Sequence, residues 1–168
     1  DAAAVLNESK NLLQYLNTHV IANSSEKLSE QLLVLQNKHQ QPAALLCAVP
    51  FIRSRDLLQS KSGQSARDKQ QNLQQAITAH YQQLYALAQQ YNSEQQLQLP
   101  IIMTGHLATV GVSASESVRD IYIGTLDALP PQAFPAADYI ALGHIHQSQQ
   151  LNDDTDIRYS GSPIALSF

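Results

Sequence analysis

The stretch Tyr139-Ile140-Ala141-Leu142-Gly143-His144-Ile145-His146 joins an apolar run to a glycine and two histidines. The apolar run predicts a buried strand, and the glycine permits a sharp turn where that strand ends. Because successive side chains of an extended chain alternate faces, we expect His144 and His146 to point the same way. Histidine is the commonest metal ligand in proteins, so this pair favours a metal site.

A second stretch, Pro100-Ile101-Ile102-Met103-Thr104-Gly105-His106, repeats the pattern of an apolar run followed by Gly-His. Ligands grouped at the ends of neighbouring strands are the usual way in which an α/β sheet builds a site. His106 is therefore expected to join the predicted site if the two strands are neighbours. Imidazoles without thiolates favour Mn, Fe, Zn or Ni over calcium.

The other histidines and the single cysteine fit structural roles. His19, His39 and His80 are interpreted as surface or hydrogen-bonded core residues, with His80 beside the apolar stripe of a predicted helix. Cys47 lies in an apolar run and is predicted to be a buried, inert thiol. Acidic residues in predicted loops show no ligand-like pattern and are interpreted as solvated; they are Asp127, Asp138, Asp153, Asp154 and Asp156. The predicted metal site is therefore short of carboxylates.

Length and composition indicate one soluble domain or a piece of one. The 168 residues are 43% hydrophobic and 14% charged, with a formal net charge of −4. A negative chain has no general attraction to nucleic acid, so a phosphate partner would need local arginines or bound cations. A single cysteine excludes an internal disulfide and is compatible with the reducing cytoplasm. No apolar run reaches membrane-spanning length, so no membrane contact is expected. The first residue is Asp1 rather than Met, which indicates a start inside a longer protein.

Hydrophobic periodicity predicts alternating helices and strands, which is typical of a layered α/β domain. The longest predicted helix runs from about Ala66 to Tyr91, and its apolar stripe is expected to pack on a sheet carrying both Gly-His strands. The other predicted elements are a helix over 5–17, strands over 19–22, 31–35, 43–49 and 156–160, and a hairpin between 31–35 and 43–49.

The two Gly-His motifs, which begin 38 residues apart, resemble the last two motifs of the calcineurin-like metallophosphoesterases. The chain is most similar to the members of this superfamily that act as nuclease subunits in bacterial DNA repair. The stretches that carry this closer resemblance are 1–9, 50–56, 104–107, 118–127, 137–146 and 159–163. Together they span essentially the whole chain.

This resemblance implies part of a four-layer α/β/β/α fold, with residues 1–168 as the C-terminal portion of the nuclease domain. It implies a centre of two metal ions, usually Mn²⁺, with His106 and His144 on one ion and His146 on the other. Two such ions about 4 Å apart could clamp a phosphate. Asp1 matches the acidic residue that orients the family's catalytic histidine. The resemblance identifies no DNA-contacting residue in this chain.

The function implied by the resemblance is cleavage of DNA by metal-dependent phosphodiester hydrolysis. The family's members are ATP-dependent exonucleases on double strands and endonucleases on single strands, which act in the cytoplasm in DNA repair and recombination. They work as homodimers with an ATPase subunit. Their other metal-binding motifs, their capping region and their ATPase-docking segment have no counterpart in residues 1–168. We therefore expect this chain alone to be inactive and to bind Mn²⁺ weakly or not at all.

Two other functions remain open from the sequence. A metallophosphatase of small phosphoesters would share the Gly-His motifs, but would not be expected to share the stretches 118–127 and 137–146 so closely. A non-catalytic interaction module would depend on the long helix, whose paired glutamines form a polar face. Packing on a sheet already accounts for that helix's apolar positions, which disfavours this alternative.

Overall fold

The computed structural model of the chain describes residues 2–24, 27–58, 64–110, 128–151 and 156–164. The helices are α1 (Ala2–Gln14), α2 (Ser54–Leu57) and α3 (Ala66–Glu94). The strands are β1 (Leu32–Gln36), β2 (Pro42–Cys47), β3 (Ile101–His106), β4 (Tyr139–Gly143), β5 (Gln149–Gln150) and β6 (Ile157–Tyr159). Short 3₁₀ turns span Leu28–Gln31 and Pro131–Ala133. None of these helices has both the length and the apolar composition needed to cross a membrane.

The strands form one six-stranded mixed sheet in the order β1-β2-β3-β4-β6-β5. The four central strands β2, β3, β4 and β6 pair in parallel in that order. The edge strands β1 and β5 pair antiparallel with β2 and β6. The predicted α/β class is confirmed, and this sheet with its helix is consistent with part of the four-layer fold. The two Gly-His strands, β3 and β4, are direct neighbours.

The predicted hairpin is confirmed, with β1 and β2 joined by a tight polar turn. Asn37 Oδ1 accepts hydrogen bonds from the backbone N–H groups of His39 and Gln41, at 2.8 and 3.1 Å. An asparagine side chain that bonds its own backbone in this way stabilises a turn. His39 lies exposed at the tip of this turn, as expected.

Helix α3 begins at a capping box and extends three residues beyond its predicted end. Ser65 Oγ accepts from the backbone N–H of Asp68 at 3.1 Å, and Asp68 Oδ2 accepts from the N–H of Ser65 at 3.2 Å. This reciprocal pair satisfies backbone donors that have no partner within the helix. The cap therefore fixes where α3 begins.

The main core lies between α3 and one face of the sheet. The apolar stripe of α3 is buried against that face through Leu73, Ile77, Tyr81, Leu84 and Ala88. The Tyr81 hydroxyl donates to the carbonyl of Thr104, on β3, at 3.1 Å. The prediction that the long helix packs on the sheet carrying both Gly-His strands is confirmed.

The segment from His19 to Ala22 is not a strand, contrary to the sequence prediction. Val20 and Ile21 instead line a cavity of about 270 Å³ between α1 and β1. Neither residue forms a β-ladder pair with the described strands. A short apolar run does not by itself distinguish a strand from an irregular segment.

Cys47 and His80 are both buried in this core. The predicted burial of the Cys47 thiol is confirmed, and this burial raises its pKa to about 12. His80 is 5% exposed, and its Nε2 donates to Gln31 Oε1 at 3.0 Å. His80 is thus the hydrogen-bonded core histidine that its place beside the stripe predicted.

Burial lowers the pKa of His80 below its ordinary value of 6.5, so we expect stability to fall in acid. In the unfolded chain this imidazole takes up a proton at a higher pH than in the folded chain. The stability that neutral His80 contributes is fully present above the pKa that this imidazole has in the unfolded chain. It is lost as the pH falls from that pKa towards the lower pKa of the folded chain. One proton contributes up to about 1.4 kcal/mol per pH unit.

Urea unfolding of the chain between about pH 7.5 and about pH 5 measures this dependence. His80→Gln should make the pH profile shallower, since His106 and His144 also have lowered pKa values, whereas the exposed control His39→Gln should leave it unchanged. An NMR titration of the His80 ring at or above its ordinary pKa would contradict the expectation.

Candidate metal centre

The parallel pairing of β3 and β4 brings the two Gly-His motifs to the same end of the sheet. His106 lies in register with Gly143, so His144 follows directly on the neighbouring strand. The imidazole centroids of His106 and His144 are 5.3 Å apart, with ring planes at 71°. Sequence reasoning predicted this convergence on the condition that the strands were neighbours, and that condition is met.

Gly143 provides the space for the His106 ring. A Cβ at position 143 would lie 2.9 Å from His106 Nδ1, closer than a side chain allows. Any larger residue here would force the imidazole to shift. The glycine of this motif therefore positions the ring across the strand pair as well as permitting the turn.

His144 has a φ of 95°, in the left-handed region that non-glycine residues rarely adopt. Such a conformation costs on the order of 1–3 kcal/mol and persists where the surrounding structure enforces it. Strained backbone of this kind clusters at functional sites. The strain at His144 is thus an independent indication that this turn is functional.

The pKa values of both imidazoles are lowered. Burial lowers the pKa of His106 most, and nearby His144 and His146 lower it further. Burial also lowers the pKa of His144, with a smaller contribution from His146. Both rings are consequently neutral at physiological pH, and only the neutral imidazole can bind a metal ion.

His146 lies beyond the end of β4 at Gly143, and it contributes to the lowered pKa values of both His106 and His144. The common direction expected for His144 and His146 stays a prediction. Ile145 is buried at 4% exposure, while His146 is exposed. Within the described ranges, no three His, Cys, Asp or Glu side chains are grouped closely enough to hold a metal ion.

The donor chemistry at this edge nevertheless fits one end of a transition-metal site. Two neutral imidazoles converge there, and such a pair could supply two of the ligands that an Mn, Fe, Zn or Ni ion needs. The metal role of His106, His144 and His146 remains a prediction. Asp1, assigned by resemblance to orient a catalytic histidine, lies outside the described residues, as does the stretch 118–127.

Sequence reasoning gave no role to Phe51, which contacts this site. Its ring meets His106 edge-on with centroids 5.9 Å apart, and it is 38% exposed. Phe51 follows β2, the parallel neighbour of β3, so its strand reaches the same edge of the sheet. Its position after an apolar strand is the signal that could have placed it there.

Asp138 is another residue whose role the sequence did not show. It was interpreted as solvated, and it is exposed, yet its Oδ2 accepts from the backbone N–H of Ile101 at 2.7 Å. This bond ties the start of β3 to the start of β4. Asp138 therefore fixes the register that aligns His106 with Gly143.

Neither remaining histidine belongs to this site. His19 and His39 are exposed, as predicted. Among the acidic residues, Asp127, Asp153 and Asp154 lie outside the described residues. Asp156 immediately precedes β6, where its backbone carbonyl accepts from Ile140 at 2.8 Å.

Known proteins similar to this chain are nuclease subunits. The SbcD subunit of the nuclease SbcCD from Escherichia coli strain K12 is 51% identical over 168 residues, which cover 100% of this chain and 40% of that protein. The SbcD subunit from Rhodobacter capsulatus is 32% identical over 174 residues, which cover 99% of this chain and 42% of the relative. No protein-family model matches the chain. The chain spans about two fifths, 40%, of the E. coli relative's length. It is therefore homologous, along its whole length, to part of the SbcD subunit of the nuclease SbcCD.

Proposed function

We propose that residues 1–168 are the C-terminal portion of the metallophosphoesterase domain of an SbcD-type nuclease subunit. The intact protein would be an ATP-dependent double-strand exonuclease and single-strand endonuclease of the cytoplasm, acting in DNA repair, recombination and replication. The homology over the whole chain supports the nuclease class.

The observation that carries this proposal is the pairing of His106 and His144 at the carboxyl ends of two parallel strands, with ring centroids 5.3 Å apart. When bound, divalent ions such as Mn²⁺ would polarise a DNA phosphodiester and lower the pKa of an attacking water. His106 and His144 would bind one ion and His146 would bind the other. The Phe51 ring lies edge-on against the His106 ring and would help to hold it in place.

The proposed partners are DNA, the ATPase subunit SbcC and a second copy of the protein. The name of the SbcCD complex implies the SbcC subunit. Helix α1 and its end expose an apolar row at i, i+7 and i+11 through Val5, Leu12 and Leu16, which are 62%, 70% and 71% exposed. Such a row favours helix-to-helix contact, and we assign it to the homodimer.

Residues 1–168 alone would be inactive on this proposal. The described residues bring two imidazoles together but no group of three ligands, whereas two-ion hydrolysis needs several charged ligands. Calorimetric titration of this chain with Mn²⁺ should accordingly show no tight two-site binding.

The test compares the full-length protein with the 168-residue chain on linear duplex DNA, single-stranded DNA and nucleotide monoesters, with Mn²⁺, SbcC and ATP. We expect DNA cleavage by the full-length protein only, abolished by a chelator and restored by Mn²⁺. Turnover of monoesters without DNA cleavage would instead support the metallophosphatase alternative. Two-ion binding by the short chain at micromolar affinity would contradict its proposed inactivity.

A further inference from the structure

The segment Tyr159-Ser160-Gly161-Ser162-Pro163 has no role in the function proposed above, yet it contacts both histidine-bearing segments. It comprises the last residue of β6 and the turn that follows. Since β6 pairs with β4, this segment lies at the carboxyl edge where the histidines converge. Its contacts are made through one buried hydroxyl and a short row of backbone groups.

The Tyr159 hydroxyl fixes the chain that leaves His106. Tyr159 is 1% exposed, and its hydroxyl donates to the carbonyl of Leu107, the residue after His106, at 2.9 Å. Thr109 Oγ1 lies 3.0 Å from the same hydroxyl and is also 1% exposed. Because the single proton of Tyr159 goes to the Leu107 carbonyl, the Thr109 hydroxyl is the donor in the second bond.

The backbone of the same segment fixes the turn that carries His144 and His146. Ser160 N–H donates to the carbonyl of Leu142 at 3.1 Å, and Ser162 N–H donates to the carbonyl of His146 at 2.8 Å. Gly161 has a φ of 75°, and a Cβ there would lie 2.7 Å from the backbone nitrogen of Ser148. Only glycine permits so close an approach of the two turns.

We propose that Tyr159 is a positioning residue that sets the separation between His106 and the His144–His146 turn. Residues 107–110 follow a strand end and contain one isolated bridge, Thr109 with Leu129, as their sheet pairing. A tyrosine hydroxyl anchored on β6 holds this connection to the strand that also holds the other turn. Imidazole ligands need such fixed geometry, because a small displacement weakens metal binding.

The tyrosine ring and its hydroxyl have separable roles. The ring is part of the main core, so its removal would destabilise the fold whatever the hydroxyl does. Tyr159→Phe keeps the ring and removes only the bonds to Leu107 and Thr109. The Thr109 hydroxyl then loses the Tyr159 oxygen as its acceptor, and adding Thr109→Val removes this buried hydroxyl.

The test uses the full-length protein and measures Mn²⁺ binding by the loss of the free Mn²⁺ electron paramagnetic resonance signal, alongside urea unfolding. We expect Tyr159→Phe to weaken Mn²⁺ binding about tenfold, as for other groups that orient ligands. Thr109→Val alone should have a smaller effect, because the Tyr159 bond to Leu107 survives. The double variant should regain stability relative to Tyr159→Phe but keep the weakened Mn²⁺ binding.

The matched control is Tyr85→Phe, which removes a hydroxyl bond of 2.8 Å to the carbonyl of Ala136. Ala136 precedes β4, at the end of the sheet away from the histidines. This variant should bind Mn²⁺ as the unmodified protein does.

Two results would overturn the inference: unchanged Mn²⁺ binding in Tyr159→Phe, or binding that recovers together with stability in the double variant. The inference rests on the proposed function, and the two fail differently. If the unmodified full-length protein binds no Mn²⁺, the proposed function fails. If it binds Mn²⁺ and Tyr159→Phe binds it equally well, only the positioning role fails.

Discussion

Replacing His106 by alanine in the full-length protein is expected to reduce Mn²⁺-dependent DNA cleavage by roughly a thousandfold or more. A metal ion contributes several kcal/mol to stabilising transition-state charge, and about 1.4 kcal/mol corresponds to a factor of ten in rate. His106 lies where its ring meets both His144 and Phe51, so alanine removes a proposed ligand and leaves a gap beside these rings. Initial rates on linear duplex DNA measure the loss.

The matched control for His106→Ala is His39→Ala. This histidine is exposed in the β1–β2 turn, and its backbone N–H makes the turn's hydrogen bond to Asn37 Oδ1. Its imidazole can therefore be removed without changing the turn, and cleavage should remain within about twofold of the unmodified rate. Cleavage by His106→Ala at a comparable rate would remove this imidazole from the proposed centre.

Gly105→Ala is expected to destabilise the fold by overpacking the core between α3 and the sheet. A Cβ at position 105 would overlap the Tyr81 hydroxyl and lie 3.0 Å from Leu142 Cδ2. Tyr81 is fully buried and bonded to the Thr104 carbonyl, so it has no space into which to move. Overpacking of this kind costs about 1–3 kcal/mol or more. Urea unfolding of the 168-residue chain measures the cost.

A second substitution identifies the cause of that instability. Tyr81→Phe removes the overlapping oxygen, and the nearest remaining atom of that ring lies 3.4 Å from the added Cβ, an ordinary contact. Tyr81→Phe alone should cost about 1 kcal/mol for the lost hydrogen bond. The double variant Gly105→Ala/Tyr81→Phe should be more stable than Gly105→Ala alone. Equal or lower stability of the double variant would show that the overlap is not the cause.

The regular elements were predictable because each has a local cause. The apolar stripe and the Ser65 cap specify α3, and the run of Leu and Val residues specifies β1. The sequence placed both Gly-His strands in one sheet, whereas their direct parallel pairing was left as a condition and is seen in the structure. That pairing in turn brought His106 to His144. The short segment 19–22 was wrongly predicted because a short apolar run does not by itself distinguish a strand from an irregular segment, and here it lines a cavity.

The sequence by itself determined the α/β class and the homology to part of a nuclease subunit. It also identified His106 and His144, the two histidines whose rings meet. Periodicity and motifs are local properties, so the chain carries them before it folds. Only the tertiary structure decided that His144 has a positive φ and that Phe51 lies against His106. It also placed the Tyr159 hydroxyl against Leu107, which is 52 residues away in sequence. Contacts between distant residues depend on how the strands pair and on which groups burial leaves in need of a hydrogen-bond partner, and neither is encoded in a local pattern.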